Sequence, residues 1–186
     1  MRLKSEDFVD QASELLKEQC GGDVALSMIL QACNAKKGSL YHFFPGGKDQ
    51  LLTAAVEKMG RCALANVQEC IGRTDTAAQA IEMHLLHIAK LSDKPEGFVG
   101  LPFLTVAATI GTSSSTINDA CFNAIAAIKS VLVKQLVADG FSRKRSNDLA
   151  EFSAFAVDGA ILASRSRGNT KPLRLAAANL VLLYTR

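Results

Sequence analysis

The sequence predicts an all-α protein, three short helices at the N-terminus followed by a larger helical domain, on three observations. Of 186 residues, 48% are apolar but only 6% aromatic, with no Trp. That mix is rich in Ala and Leu and suits close-packed helices better than sandwiches built on Val, Thr and aromatic rings. Only four prolines occur, so helices can run long almost anywhere. Apolar residues also recur at three- and four-residue spacing, and a chain of this length can bury a real core.

Taken in order, Ser5–Glu18 places Phe8, Ala12, Leu15 and Leu16 on one face. Ser5 is its expected N-cap, Glu6 and Asp7 fill its first turn, and Gly21-Gly22 ends it. A short helix over Leu26–Cys33, capped by Asp23, leads to Asn34, a residue that tolerates the left-handed region. A third helix, Lys37–Phe43, stops before Pro45-Gly46-Gly47, and Lys48 opens a long helix to about Gly72. Next come Thr76–Leu91, a loop over 93–100 with Pro95 and Gly97, and Pro102–Ile110. Ser115–Ala138 carries Ile117, Cys121, Ile125, Ile128, Leu132 and Leu136 as one stripe. Ser146–Ser164 and Pro172–Tyr184 close the chain. The organisation read from this is residues 1–47 as one unit and 48–186 as another, without repeats or a flexible linker.

The charge balance of +3 is too small to point to a polyanion by itself, but its distribution is uneven. Residues 1–48 hold six basic and six acidic side chains, yet Asn34–Lys48 contains Lys36, Lys37 and Lys48 and no acid. The acids of the first helix would have to face elsewhere for that stretch to meet phosphates. A second acid-free run from Gly159, with Arg165, Arg167, Lys171, Arg174 and Arg186, reads as solvated helix ends. No apolar stretch follows a basic start, and the longest apolar candidate, Leu101–Ile117, is broken by Pro102 and Gly111. Neither a leader nor a membrane span is therefore expected. Five scattered cysteines (Cys20, Cys33, Cys62, Cys70, Cys121) without a CxxC pair fit reduced, mostly buried thiols in a cytoplasmic setting.

Three short helices with a tight turn between the second and third form a helix-turn-helix arrangement. The third helix must stand proud to enter a DNA major groove about 12 Å wide, braced by Leu15, Leu16, Leu26, Ile29, Leu30, Leu40 and Phe44. Glycine inside a helix costs about 0.5–1 kcal/mol. Gly38, within so short a helix, is explained if the backbone there must come close to DNA.

The run KGSLYHFFPGGKDQLL (Lys37–Leu52) resembles the signature of the TetR family of repressors, as does the approach to it through Ala12, Leu15, Leu16 and Gly21. The PGGK exit and Gly100-x-Pro102 resemble the LmrA/YxaF-like subgroup. The resemblance implies a DNA-binding regulator, not an enzyme, that binds double-stranded DNA as a homodimer and answers to a small apolar effector, with no cofactor. It places Lys37 and Ser39 toward base edges, Gly38 at the close approach, Tyr41 and His42 on phosphates or flanking bases, and Lys48 on a phosphate at a helix N-terminus. Lys36 adds a phosphate contact. Where the family commonly has His or Tyr this chain has Phe43, and Ser27 stands where Arg is frequent. Fewer phosphate contacts imply a slope of log K against log salt no steeper than about −6.

Small residues at helical spacing (Ala150, Ser153, Ala154, Val157, Ala160, Ala163, Ser164), echoed by Ala176–Ala178, are the expected dimer surface, in a four-helix bundle. The alternative is that they pack within one subunit. The expected effector pocket is apolar with a few polar groups: Met83, His87, Phe98, Phe103, Leu104, Thr109, Cys121, Phe122 and Phe155. A metal site at Glu82, His84 and His87 is the sharpest rival, but Glu82 points nearly opposite His84 on a helix and no further ligand cluster accompanies it. For an enzyme, the chain lacks GxSxG, HExxH, a P-loop and GxGxxG before a helix.

Overall fold

The computed structural model of the protein describes residues 3–19, 22–94 and 97–184. Its helices are α1 (Ser5–Glu18), α2 (Leu26–Ala32), α3 (Lys37–Phe43), α4 (Gly47–Gly72), α5 (Ala77–Ser92), α6 (Phe103–Ala108), α7 (Ser115–Ala138), α8 (Arg143–Arg167) and α9 (Lys171–Leu183). A single 3-10 turn, Ile110–Thr112, separates α6 from α7, and no strand occurs among the described residues. The fold is all-α, as expected. The expectations for Cys20, Gly21, Pro95 and Arg186 lie outside the described residues.

Local chemistry explains where the boundaries differ from expectation. Lys4, not Ser5, is the N-cap of α1, and its backbone N–H donates to Asp7 Oδ2 at 2.7 Å. Asp23 does not cap α2, whose N-cap is Ala25. Its carboxylate takes the Lys48 ammonium at 2.5 Å instead, a charge-assisted bond stronger than a neutral amide could offer. Ser142, accepting the Arg145 N–H at 3.2 Å, starts α8 three residues early. The expected helix over Pro102–Ile110 breaks after Ala108.

Two apolar clusters form the interior. One joins Phe8, Ala12, Leu16, Ile29, Leu40 and Phe44 of the first three helices and their connections to Leu51, Leu52, Ala55 and Val56 of α4, and continues into α6 and α7. The short helices therefore sit on the start of α4 through a continuous core that crosses residues 47 and 48. The second cluster packs α5, α8 and α9 around Leu85, Leu149, Leu173 and Leu180. Asp93, at the end of α5, accepts hydrogen bonds from Thr170 Oγ1 at 2.8 Å and Arg174 Nη2 at 2.6 Å. Those bonds tie α5 to α9 and hold the Asp93 carboxyl below its usual range. Arg174 is exposed, as expected of this run, and is paired there with Asp93. α7 alone among the described helices is long and apolar enough, by length and composition, to cross a membrane. It was not the segment expected to come nearest to that, and its stripe of Ile117, Cys121, Leu132 and Leu136 is buried against its neighbours.

Candidate nucleic-acid interface and ligand cavity

The turn before α3 is made by Asn34, the one described non-glycine residue with a positive φ (47°). Its side chain tolerates that region at little cost. α3 then divides cleanly. Leu40 is fully buried, whereas Lys36, Lys37, Gly38, Tyr41 and His42 are exposed and Ser39 is half-buried. The Lys37 ammonium lies 5.8 Å from the centre of the Tyr41 ring, within cation–π range. Phe43 packs against Phe8, ring centres 6.0 Å apart, so this position serves the core where a hydrogen-bonding ring would serve a phosphate.

The exit from α3 requires glycine. Gly47 has φ +71°, and a Cβ there would also stand 3.3 Å from the Tyr41 ring. Its conformation turns the chain directly into α4, where Lys48 is the second residue. Lys48 is bound to Asp23, so a phosphate at this point has to displace an exposed carboxylate. The acids of α1 divide. Asp10 pairs with Lys58, and Glu14 pairs with Lys17 at 2.6 Å, both at the far side of the helix. Glu6 lies beside Gly38, Ser39 and His42 in a shallow groove between α1 and α3, which lowers the positive potential of the exposed face of α3.

Below the short helices a cavity of about 480 Å³, partly open to solvent, is lined by α1, α4, α5, α7, α8 and residues 99–103. Of the nine residues expected to line a pocket, His87 and Phe103 do so. Cys121 is buried beside it, where burial and the Asp158 charge push its thiol up to about 12. Phe98 gives its carbonyl to Arg165 Nη2 at 2.9 Å, and Leu104 donates its N–H to Asp158 at 3.2 Å. Met83 is half-buried and Thr109 exposed, both away from the cavity. Phe122 and Phe155 are half-exposed on the outer faces of α7 and α8; periodicity identifies a helix face but not which face turns inward. The cavity instead takes Ser13 and Lys17 from α1, Met59 and Asn66 from α4, and His84 and Asp158 within. In the sequence His84 stands out as a rival metal ligand and Ser153 as part of the small-residue stripe, while Asp158 stands out as a lone carboxylate in an otherwise small and apolar stretch.

The polar interior is specific. His84 Nδ1 and Asn66 Oδ1 are 2.6 Å apart, and burial, with the nearby His87, lowers the His84 pKa to about 4. The ring is therefore neutral, and among the described residues no group of three or more His, Cys, Asp or Glu could hold a metal ion. Asp158 is buried, which raises its pKa to about 6 against the opposing pull of the backbone N–H groups of Leu104, Thr105 and Phe103. Cys62, expected to be buried, is exposed on α4 at the cavity wall.

The family model for the C-terminal domain of LmrA/YxaF-like transcriptional regulators matches residues 77–179. The chain is 27% identical to the HTH-type transcriptional regulator YxaF of Bacillus subtilis over 181 residues, 97% of this chain and 95% of that one. Among solved structures it resembles a TetR transcriptional regulator from Legionella pneumophila, with a TM-score of 0.82 at 20% identity over 97% of this chain and 96% of that one. It also resembles a cysteine mutant of the TetR-family regulator CifR complexed with 26-base-pair operator DNA, with a TM-score of 0.76 at 16% identity over 98% and 97%. With a helix-turn-helix head, a helical body around a cavity, and a family model covering more than half its length, the chain belongs to the LmrA/YxaF-like branch of the TetR family of DNA-binding transcriptional regulators, which are not enzymes.

Proposed function

We propose that this regulator is a cytoplasmic repressor that binds a palindromic operator as a homodimer and is released by a small, largely apolar effector. The observation that carries this reading is the division of α3. Its apolar side is sunk into the core while Lys36, Lys37, Gly38, Ser39, Tyr41 and His42 stand clear of it. One such helix reads only a few base pairs, so two, spaced about one turn of DNA apart, are needed for a specific site.

The pairing surface we favour differs from the small-residue stripe. Ala150, Ser153, Ala160 and Ser164 are buried within the subunit. The outward faces of α8 and α9 carry Phe152, Phe155 and Gly159, and Leu175, Ala178 and Leu182, each set at i, i+3, i+7 spacing and exposed. Two α8–α9 pairs meeting on these faces make a four-helix bundle.

Effector release follows from the cavity walls. α1 and α4 both contribute, and the Lys58–Asp10 ion pair joins them at its edge. A ligand that fits better when α1 and α4 have shifted favours that arrangement and takes the two α3 helices out of register. Selection of bound sequences from random duplex DNA tests the proposal. It should enrich inverted repeats whose half-sites lie about one turn apart. Enrichment of single, unrepeated sites would contradict it.

A further inference from the structure

Among the described residues, the cavity's interior holds one ionisable carboxylate and no cationic side chain to balance it. Asp158 lines the cavity with only 9% of its surface exposed. Its hydrogen-bond partners are the backbone N–H groups at the start of α6, at 3.2 Å from Leu104 and 3.4 Å from Thr105. A neutral Ser, Thr or Asn caps a helix start equally well, so capping alone does not account for a charge whose burial is costly. The lysines of the cavity edge are already engaged, Lys58 with Asp10, Lys17 with Glu14 and Lys129 with Glu151. His84 is buried, neutral and bound to Asn66, and Cys121 beside Asp158 is a thiol that stays protonated. The rest of the wall is mostly apolar, including Met59, Val67, Leu101, Ile125 and Ile161, with the uncharged hydroxyls of Ser13 and Ser153 and the His87 ring as its other polar groups.

We propose that the effector is an apolar molecule bearing one cationic nitrogen, and that Asp158 selects it by pairing with that nitrogen inside the cavity. This rests on the reading of the cavity as the effector site. An opposite charge within the low-dielectric interior interacts far more strongly than at the surface, and an ammonium adds a charged donor to the neutral backbone N–H groups the carboxylate already has. An anionic ligand of the same shape would meet Asp158 as a like charge.

The test uses the full chain and three probes with one apolar tail, decylamine, decanol and decanoate, the two ionic ones below their micelle concentrations and decanol below its solubility limit, with binding read by calorimetry. Decylamine should bind at least tenfold more tightly than decanol, and decanoate more weakly than both. Asp158→Asn, which keeps an oxygen for the α6 N–H groups, should reduce the amine's advantage to less than threefold while leaving decanol affinity unchanged. If Asp158→Asn does not fold, the ranking of the probes on the natural chain still decides. Equal binding of all three, or preference for decanoate, overturns the cationic selection while the cavity reading stands. Binding of none overturns both.

Discussion

A Cβ built on Gly38 would meet no atom within 4 Å, so nothing in the free protein requires glycine there. Gly38→Ala should therefore stabilise the fold by about 0.5–1 kcal/mol, as for any exposed helical glycine, while weakening DNA binding. Thermal melts and equilibrium binding measured on the same variant check both halves, and undiminished affinity would remove the close approach from the account. Inside the cavity, two residues pull stability in opposite directions as pH changes. The His84 pKa falls from 6.5 to about 4 on folding. Its contribution is present above 6.5 and is lost as pH drops toward 4, a difference of roughly 3 kcal/mol. Asp158 rises from 3.8 to about 6, so its contribution is present below 3.8 and is lost as pH rises to about 6, again roughly 3 kcal/mol. Between pH 4 and 6 the two offset each other. Denaturation of His84→Gln and Asp158→Asn across this window should show a shallower acid loss for the first and a steeper one for the second than for the natural chain. Parallel curves for all three would refute the assignments.

At the scale of the element, α4 links the reading head to the cavity, and Gly60 sets how closely it lies on α7. A Cβ at Gly60 would come within 2.7 Å of the Ala124 Cβ, which a rigid helix pair cannot absorb without separating. Gly60→Ala should overpack this crossing by about 1–3 kcal/mol, against about 1 kcal/mol regained in helix propensity. The expected result is a lower melting temperature and weaker DNA binding, since α4 positions α3. A variant as stable and as tight as the natural chain would show that the crossing is loose. The elements themselves were legible from sequence because each rests on local signals. Asn34 turns, Pro45-Gly46-Gly47 stops α3, and Ser115–Ala138 repeats its stripe without interruption. The cavity was not legible, because it is assembled from α1, α4, α5, α7 and α8 at once, and no local spacing records which face of α8 turns toward it. Asp23 misled for the same reason, since its partner Lys48 lies 25 residues away.

For the whole molecule, the head and the outward α8–α9 face form one device only if two subunits pair. Phe152, Phe155, Leu175 and Leu182 are each half or more exposed on this face, an apolar grouping of the kind that marks an interaction surface. Phe155→Asp with Leu182→Asp should give a helical monomer in sedimentation at micromolar concentration, with DNA affinity reduced. A dimer that persists would place the interface elsewhere. Membership of the family was legible in Lys37–Leu52 because its residue types fall at fixed spacing on one short helix and its exit, whereas pairing and effector chemistry are spread over faces that only packing defines. The exposed face of α3 is the proposed DNA-reading surface. Affinity of Lys37→Ala with Tyr41→Ala for DNA selected by the natural chain tests it most directly. Loss of contacts worth about 1–3 kcal/mol each should weaken binding by roughly ten- to a hundredfold or more, with helicity and cavity binding retained. A folded double variant that holds the selected DNA with unchanged Kd would contradict it.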